Sequence, residues 1–476
     1  MKRTLATSSF ARGRRAADGR TRRDPLPAGR GGCRAEGTVL IVTMWIMLVL
    51  AGLVIVLARS MRVEAVCAAN YAAAQQASAV EQGAIQYVLA SLDGLQGLTP
   101  SEADMPCQAV QVGYGAFWIL RPNFEDDREW AYGVVGEAAK VDLNSAPAET
   151  LLRLTDMTDE LAAAVVDWRD ADSDLTPGGG ESEYYLLLGD PYECKNAPLE
   201  TVEELLLVKG CSRELLFGED LNRNGVLDDN ENDGSDSDPT DDRDGKLDRG
   251  IFDFVTVHAV EPNTSAAGSQ RVNVNQAQTQ ALSQVLQKSV ALDRLPDVLD
   301  RARRGRPFQS VLDFYFRTGL TMKEFAPIAD QLTTVNDRTL RGLINVNTAP
   351  KEVLLCLPGL DEGDVSALLA GRSGEEADLN SIAWVAQALP REKAVPIGPH
   401  ITARSFQFSA DIVSISGDGR AFKRCRIVVD AAESPPRLIY RQDLTHLGWP
   451  LPPEIVDQLR SGTGMQEVVQ NVAQGR

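Results

Sequence analysis

A chain of 476 residues is long enough for two or three domains, each with its own core. Its formal charge is −19, and because the first 36 residues carry +7, the remainder carries −26. So acidic a body repels nucleic acid and anionic membrane surface and suits divalent cations. Seven cysteines without a C-x-x-C spacing argue against zinc, and three scattered histidines form no local grouping with a nucleophile, so nothing points to a catalytic centre.

Residues 1–37 form a basic leader, and up to residue 36 it holds ten Arg/Lys against three acids. The apolar run Thr38–Ala58 follows, and as a helix its 21 residues span about 30 Å, the thickness of a hydrocarbon core. That is too long for a secretory h-region. The basic flank stays in the cytoplasm, which makes everything after Ser60 exported. No Gly or Pro interrupts the Ala-rich stretch that continues to Gly83, so one helix of more than 50 residues is expected within 38–95. Val66, Ala69, Ala73, Ala77, Val80, Ala84, Tyr87 and Val88 recur at helical steps and should lie on a sheet. Residues 96–137 supply its first strands, YGAFWILRPN and the start of WAYGVVGEAAKVDLN, joined by the acidic turn FEDDRE.

A repeat then appears in KVDLNSAP (140–147), RVNVNQAQ (271–278) and LINVNTAP (343–350), each leading into a Leu-bearing helical stretch. Ser145 or Thr348 is expected to cap its helix, with Pro147 or Pro350 in the first turn and Glu149 or Glu352 near the positive helix end. The third copy reads as helix, Pro-Gly turn and helix, a helix-hairpin-helix unit; the first has the same phase with a poorer turn. Phosphate binding at such a hairpin needs free N–H groups beside Lys or Arg, whereas PGLDEGD presents Asp361, Glu362 and Asp364.

Within the first helical insertion, 138–250, the segment 219–248 carries twelve acids against three bases. Its first half has calcium-loop spacing: Asp220, Asn222 and Asn224 at positions 1, 3 and 5, Gly225 at 6, the Val226 carbonyl at 7, Asp228 at 9 and Glu231 at 12. The second half is a partial copy, with Asp242, Asp244 and Asp248 at positions 3, 5 and 9 and a missing carboxylate that Asp238 could supply. A static, structural Ca²⁺ site is expected, since no exit helix follows. Cys194 and Cys211 are spaced so that either a disulfide or two buried thiols would fit. Residues 251–262 read as a strand of the split sheet, 263–400 as a second helical region, and 401–445 as a hairpin turning at Gly417-Asp-Gly419. The tail, 446–476, is expected to be mobile, carrying at most a short helix at PPEIVDQLRS.

These stretches in order resemble the minor pseudopilin K family of type II secretion systems, also called general secretion pathway protein K. The resemblance runs over roughly 40–440 and rests on EGTVLIVTMWIMLVLAGLVIVLARSMRVEA, GEAAKVDLNSA, VVDWRDADSD, ESEYYLLLGDPYECKNAPLETVEELLLVKG and LINVNTAPKEVL. It departs from the family in a long leader, an added N-V-N unit around Asn275 and an acidic hairpin. What it implies is an α+β fold: a pilin-like helix on a small antiparallel sheet, with inserted all-α domains of helix-hairpin-helix or SAM-like type. It also implies cleavage after Gly37 by a prepilin peptidase, with Thr38 as the new N-terminus. Val42 then stands at mature position 5, where filament-forming subunits carry Glu, and that absence accompanies a place at the tip of the pseudopilus. The implied partners are I- and J-type minor pseudopilins, the inner-membrane assembly platform, and exported substrates or the outer-membrane channel. The chain would be a non-enzymatic, single-pass inner-membrane protein with a periplasmic body that binds no nucleic acid. The alternative is a membrane-anchored helix-hairpin-helix DNA receptor.

Overall fold

A computed structural model of the protein describes residues 36–276, 279–374, 378–464 and 467–468. The expected leader lies outside them up to residue 35. One helix, Glu36–Leu92, runs for 57 residues and is long and apolar enough to cross a membrane. The chain divides into two compact units, residues 1–67 and 68–476. In the first, the large apolar side chains from Val39 to Val66 are exposed. Packing starts only at Ala73, so Val66, expected against the sheet, is not part of that contact.

The second unit holds a seven-stranded antiparallel sheet, which makes the fold α+β. Its order is Val110–Val112, Gly115–Arg121, Gln407–Ile415, Phe422–Asp430 and Arg437–Asp443, with Ala131–Tyr132 beside the second and Val135–Gly136 beside the third. The expected hairpin forms the middle of the sheet, pairing Gln407 with Asp430 through Ile415 with Phe422. Val80, Ala84, Ile85, Val88 and Leu92 bury one helix face on Phe117, Ile119, Phe408, Ile412 and Ile427. Each of these Val, Ile, Leu and Phe side chains contributes about 1.5–3 kcal/mol by leaving water. Gly115 lets the helix come this close, since a Cβ there would lie 2.4 Å from the Ile415 carbonyl oxygen and 2.7 Å from Val80.

On the opposite face of the sheet, residues 451–459 are packed rather than mobile as expected of the tail, whose residues 465–466 and 469–476 lie outside the described ones. Leu451, Ile455 and Leu459 cover Trp118, Leu120, Val413 and Ile415, and the helix Pro453–Arg460 supplies two of these covering groups. Apolar residues spaced four apart in PPEIVDQLRS give that helix a buried stripe, and an otherwise bare sheet face receives it.

Between Val135–Gly136 and the central hairpin the chain forms three units on one plan. Val141–Asp142, Val272–Asn273 and Ile344–Asn345 each pair in parallel with a two-residue strand that closes the unit: Val255–Thr256, Leu332–Thr333 and Ile401–Thr402. The N–H groups of Leu143, Val274 and Val346 donate to the carbonyls of Thr256, Thr333 and Thr402. The first polar residue of each motif, Asp142, Asn273 or Asn345, accepts from the N–H two residues on. The second, Asn144, Asn275 or Asn347, clips a distant segment by its amide, at Leu199, Phe308 and Leu379. One hydrophobic core runs through all three units. Residues 251–262 therefore do not join the main sheet: Val255–Thr256 completes the first unit and Val260–Pro262 pairs with Thr339–Arg341.

The helix caps also differ from expectation. Pro147 and Pro350 are themselves the N-caps of Ala148–Leu151 and Lys351–Leu355, with no side-chain cap. Ser145 instead donates its hydroxyl to Asp142 at 2.7 Å, and the Thr348 hydroxyl oxygen is buried without a partner. The motif's own Asp or Asn organises the turn, which leaves nothing for the hydroxyl to cap. The third unit has its helix-hairpin-helix, Lys351–Leu355 and Glu362–Arg372, with Gly359 at φ +74°. In the first unit Asp156 takes the equivalent left-handed position at φ +57°.

Candidate metal centre

The acidic segment leaves the short helix Arg213–Phe217 at Gly218, whose φ is +63°. A Cβ there would come within 1.8 Å of the Asp248 carbonyl oxygen, and the next N–H, of Glu219, donates to that oxygen at 2.7 Å. The two ends of the segment are thereby tied together. Inside, Asp220 is buried and its two oxygens accept from Asn224 N–H at 3.0 Å and Gly225 N–H at 2.8 Å. Gly225 takes φ +75°, the left-handed turn that position 6 requires. Asn222 and Asn224 direct their amides to Asp228 at 2.6 and 3.1 Å. Glu231, 1% exposed, accepts from the N–H groups of Leu221 and Asp228 and so folds the last position back onto the first. Val226, whose carbonyl stands at position 7, is buried, and its N–H donates to Asn224 Oδ1 at 2.7 Å. The structure thus gathers all six expected ligand residues of the first half around one loop.

The electrostatics fit a bound cation. Burial, then the Asp253 charge, pushes the Asp220 carboxyl up to about 6 against the pull of the Gly225 N–H. Burial and the neighbouring Asp220 charge push Glu231 up to about 8. Carboxylates so placed lack a cation, and oxygen donors of this number and kind suit Ca²⁺. Among the described residues no three His, Cys, Asp or Glu side chains converge tightly enough to hold a metal by themselves. A cation at this loop would draw also on the amide oxygens of Asn222 and Asn224 and on the Val226 carbonyl.

The second half is organised differently. Asp242 accepts from Asp244 N–H at 3.0 Å and Asp244 from Lys246 N–H at 2.8 Å, so both carboxylates serve their own turns. Asp248 and Asp238 line one open cleft together with Glu219 and Asp127. Burial, then Asp242 and Asp244, raises the Asp248 carboxyl.

Three groups that position the loop were missed by sequence reasoning. Arg424, fully buried in the strand Phe422–Asp430, donates to the carbonyls of Asn222 and Arg223, both at 2.6 Å, and to Asp411 at 3.0 and 2.7 Å. Asp127, in the acidic turn, pairs with Arg249 at 2.6 Å, and its carbonyl accepts from Leu227 N–H. The Pro450 carbonyl accepts from Asn224 and from the Trp130 indole. A charge of each sign inside the apolar hairpin sequence, Asp411 and Arg424, was the available signal. Cys194 and Cys211 are both free thiols. Gly37, Thr38 and Val42 lie in the first turns of the long helix, and Val42 is exposed.

The family model described as type II secretion system (T2SS), protein K, matches residues 136–217. The chain carries a protein K domain of type II secretion systems. The matched stretch coincides with the start of the first repeat unit, ahead of the acidic loop. Among solved structures, the GspK-GspI-GspJ complex from the enterotoxigenic Escherichia coli type 2 secretion system contains a chain aligned over 80% of this one and 98% of its own length, at 10% identity and a TM-score of 0.41. No curated protein matches the chain.

Proposed function

We propose that the chain is the minor pseudopilin at the tip of a type II secretion pseudopilus, with a structural rather than enzymatic role in export across the outer membrane. The observation that carries this reading is the pairing of a protein K domain with a 57-residue helix whose segment from Val39 to Leu57 exposes apolar side chains with Thr43 as the one polar exception, over a length that could cross a bilayer. In this reading a prepilin peptidase cuts after Gly37 on the cytoplasmic side, Thr38 becomes the N-terminus, and the body lies in the periplasm. Val42 at the fifth position brings no carboxylate into lipid, where a lone charge is costly. A subunit with no neighbour above it needs none.

The exposed part of the helix offers its apolar surface to other minor pseudopilins of I and J type and to the assembly platform, and the three helical units face outward to substrate or channel. The loop Asp220–Glu231 holds a structural Ca²⁺, bound by Asp220, Asn222, Asn224, the Val226 carbonyl, Asp228 and Glu231. Asp242, Asp244 and Asp248, completed by Asp238, offer a second and partial set of carboxylates in the same acidic segment. The chain's own residues prepare the site: Arg424 and Asp127 fix the loop backbone, and Gly225 allows its turn.

A photo-crosslinker at Tyr71, an exposed position on the helix, tests the placement in cells that assemble the whole system. Adducts with I- or J-type subunits are expected. Adducts to the major pseudopilin alone would contradict the tip position.

A further inference from the structure

The second and third units border a cleft of about 480 Å³, within the range of about 300–1,000 Å³ usual for ligand sites. It is lined where the chain leaves the closing strands Leu332–Thr333 and Ile401–Thr402, and the short strand Thr339–Arg341 forms one of its walls. That strand has a partner on one edge alone. In its two-stranded ladder with Val260–Pro262, Leu340 stands opposite Glu261, Asn263 N–H donates to the Arg338 carbonyl at 2.9 Å, and Gly342 N–H donates to the Ala259 carbonyl at 3.1 Å. Alternate residues of an antiparallel strand bond the same neighbour, so Arg338, Leu340 and Gly342 turn their peptide groups to Val260–Pro262. Thr339 and Arg341 turn theirs the other way, and among the described residues nothing bonds them.

The charges around the cleft are matched on its floor and unmatched at its rim. Arg404, 3% exposed, pairs with Asp330 at 2.7 Å and keeps its Nε without an acceptor. Asp330 also takes the Ala266 N–H at 2.7 Å and Arg271 at 3.3 Å, and Arg271 pairs with Glu261 at 2.7 Å. These two acids and two guanidiniums cancel. Arg341 is exposed on the strand with the open edge, and among the described residues its guanidinium has no hydrogen bond and no ion pair. Asp337, exposed on the same rim, is unpaired as well. An edge with free peptide groups is a template on which an extended segment adds as a further strand. Leu340 and Ile382, both half-buried on the cleft wall, offer apolar surface to the side chains of such a segment.

We propose that this cleft takes an extended peptide segment of a partner protein as a third strand on the open edge of Thr339–Arg341, with a carboxylate of that segment held by the Arg341 guanidinium. Asp337 then meets an N–H or ammonium group of the same segment. Main-chain bonds supply the affinity, and the guanidinium–carboxylate contact fixes the orientation. The proposal depends neither on the pseudopilus reading nor on calcium in the acidic loop.

Random heptapeptides displayed with free C-termini, selected on the full-length protein in lipid nanodiscs, test it. Enriched sequences should alternate β-branched with other residues and carry Asp, Glu or the chain end at one constant place. Arg341→Met should weaken binding of a synthetic enriched peptide about tenfold or more, as loss of a charge-assisted hydrogen bond does. Thr339→Pro should weaken it about threefold to tenfold, because proline removes an N–H from the open edge and leaves the ladder with Val260–Pro262 whole. An enriched peptide that binds both variants as tightly as the unaltered protein would overturn the proposal, and so would a selection that enriches nothing. Self-association that Thr339→Pro abolishes would also overturn it, by making a second copy of the chain the occupant. Should Thr339→Pro not fold, Arg341→Met decides, because that side chain is exposed and unpaired.

Discussion

The hairpin of the third unit and the acidic loop of the first are both dense in carboxylates, yet the protein treats them in opposite ways. At the hairpin, Asp361 caps the helix Glu362–Arg372, Asp364 returns the bond, and Lys393 reaches both carboxylates at 3.2 and 2.5 Å and the Gly359 carbonyl at 2.8 Å. These acids are exposed or near the surface and have their own cation; the capping bond from Asp364 N–H, then Lys393, holds Asp361 below the usual carboxylate range. In the loop, Asp220 and Glu231 are buried, and the guanidiniums attached to it, Arg424 and Arg249, bind backbone carbonyls and the carboxylates of Asp411 and Asp127 rather than the loop carboxylates. A high acid count therefore marks a cation site only where the chain fails to neutralise it.

Breaking the loop's anchor should have the largest effect. Arg424→Met leaves Asp411 buried without its strongest partner and frees the carbonyls of Asn222 and Arg223, so it should destabilise the body by about 3–5 kcal/mol in urea unfolding and weaken calcium retention. Removing the ion comes next. At free Ca²⁺ a hundredfold above Kd the site adds about 2.7 kcal/mol, so EGTA should lower Tm measurably, whereas an identical melt in calcium and EGTA would sink the loop site. In the third unit Asn347 is an equivalent scaffold residue with no ion nearby. Asn347→Ala removes its bonds to Leu379, Ala403 and the Trp384 indole and should cost about 1–3 kcal/mol, equally with and without calcium. The smallest change is expected for Lys393→Met at the exposed hairpin, which should leave calcium binding and the EGTA shift untouched. A loss of either would erase the distinction between the two acidic regions.

Periodic and local features were legible in the sequence. The long helix, the central hairpin, the [VI]-[DN]-[LV]-N repeat and the loop spacing are each carried by one continuous stretch of sequence at a time, and the structure contains each. Long-range pairings were not legible. Arg424 reaches Asn222 across about two hundred residues, the strand Arg437–Asp443 joins the sheet edge, and the helix Pro453–Arg460 finds its partner only once the sheet exists. Val66 fits the helical period yet lies before the point where the sheet begins to cover the helix. Ser145 and Thr348 had the right type for caps, but Pro147 and Pro350 occupy that place. At the loop the candidate oxygen donors were readable because they lie within twelve consecutive residues, whereas the groups that anchor the loop, Arg424, Asp127 and the Pro450 carbonyl, come from distant stretches.

The pseudopilin account stands most directly on processing at Gly37. Edman or mass-spectrometric sequencing of the protein purified from membranes should find Thr38 as the first residue, with the apolar helix intact. An uncut leader, or a start beyond Ala58, would contradict it.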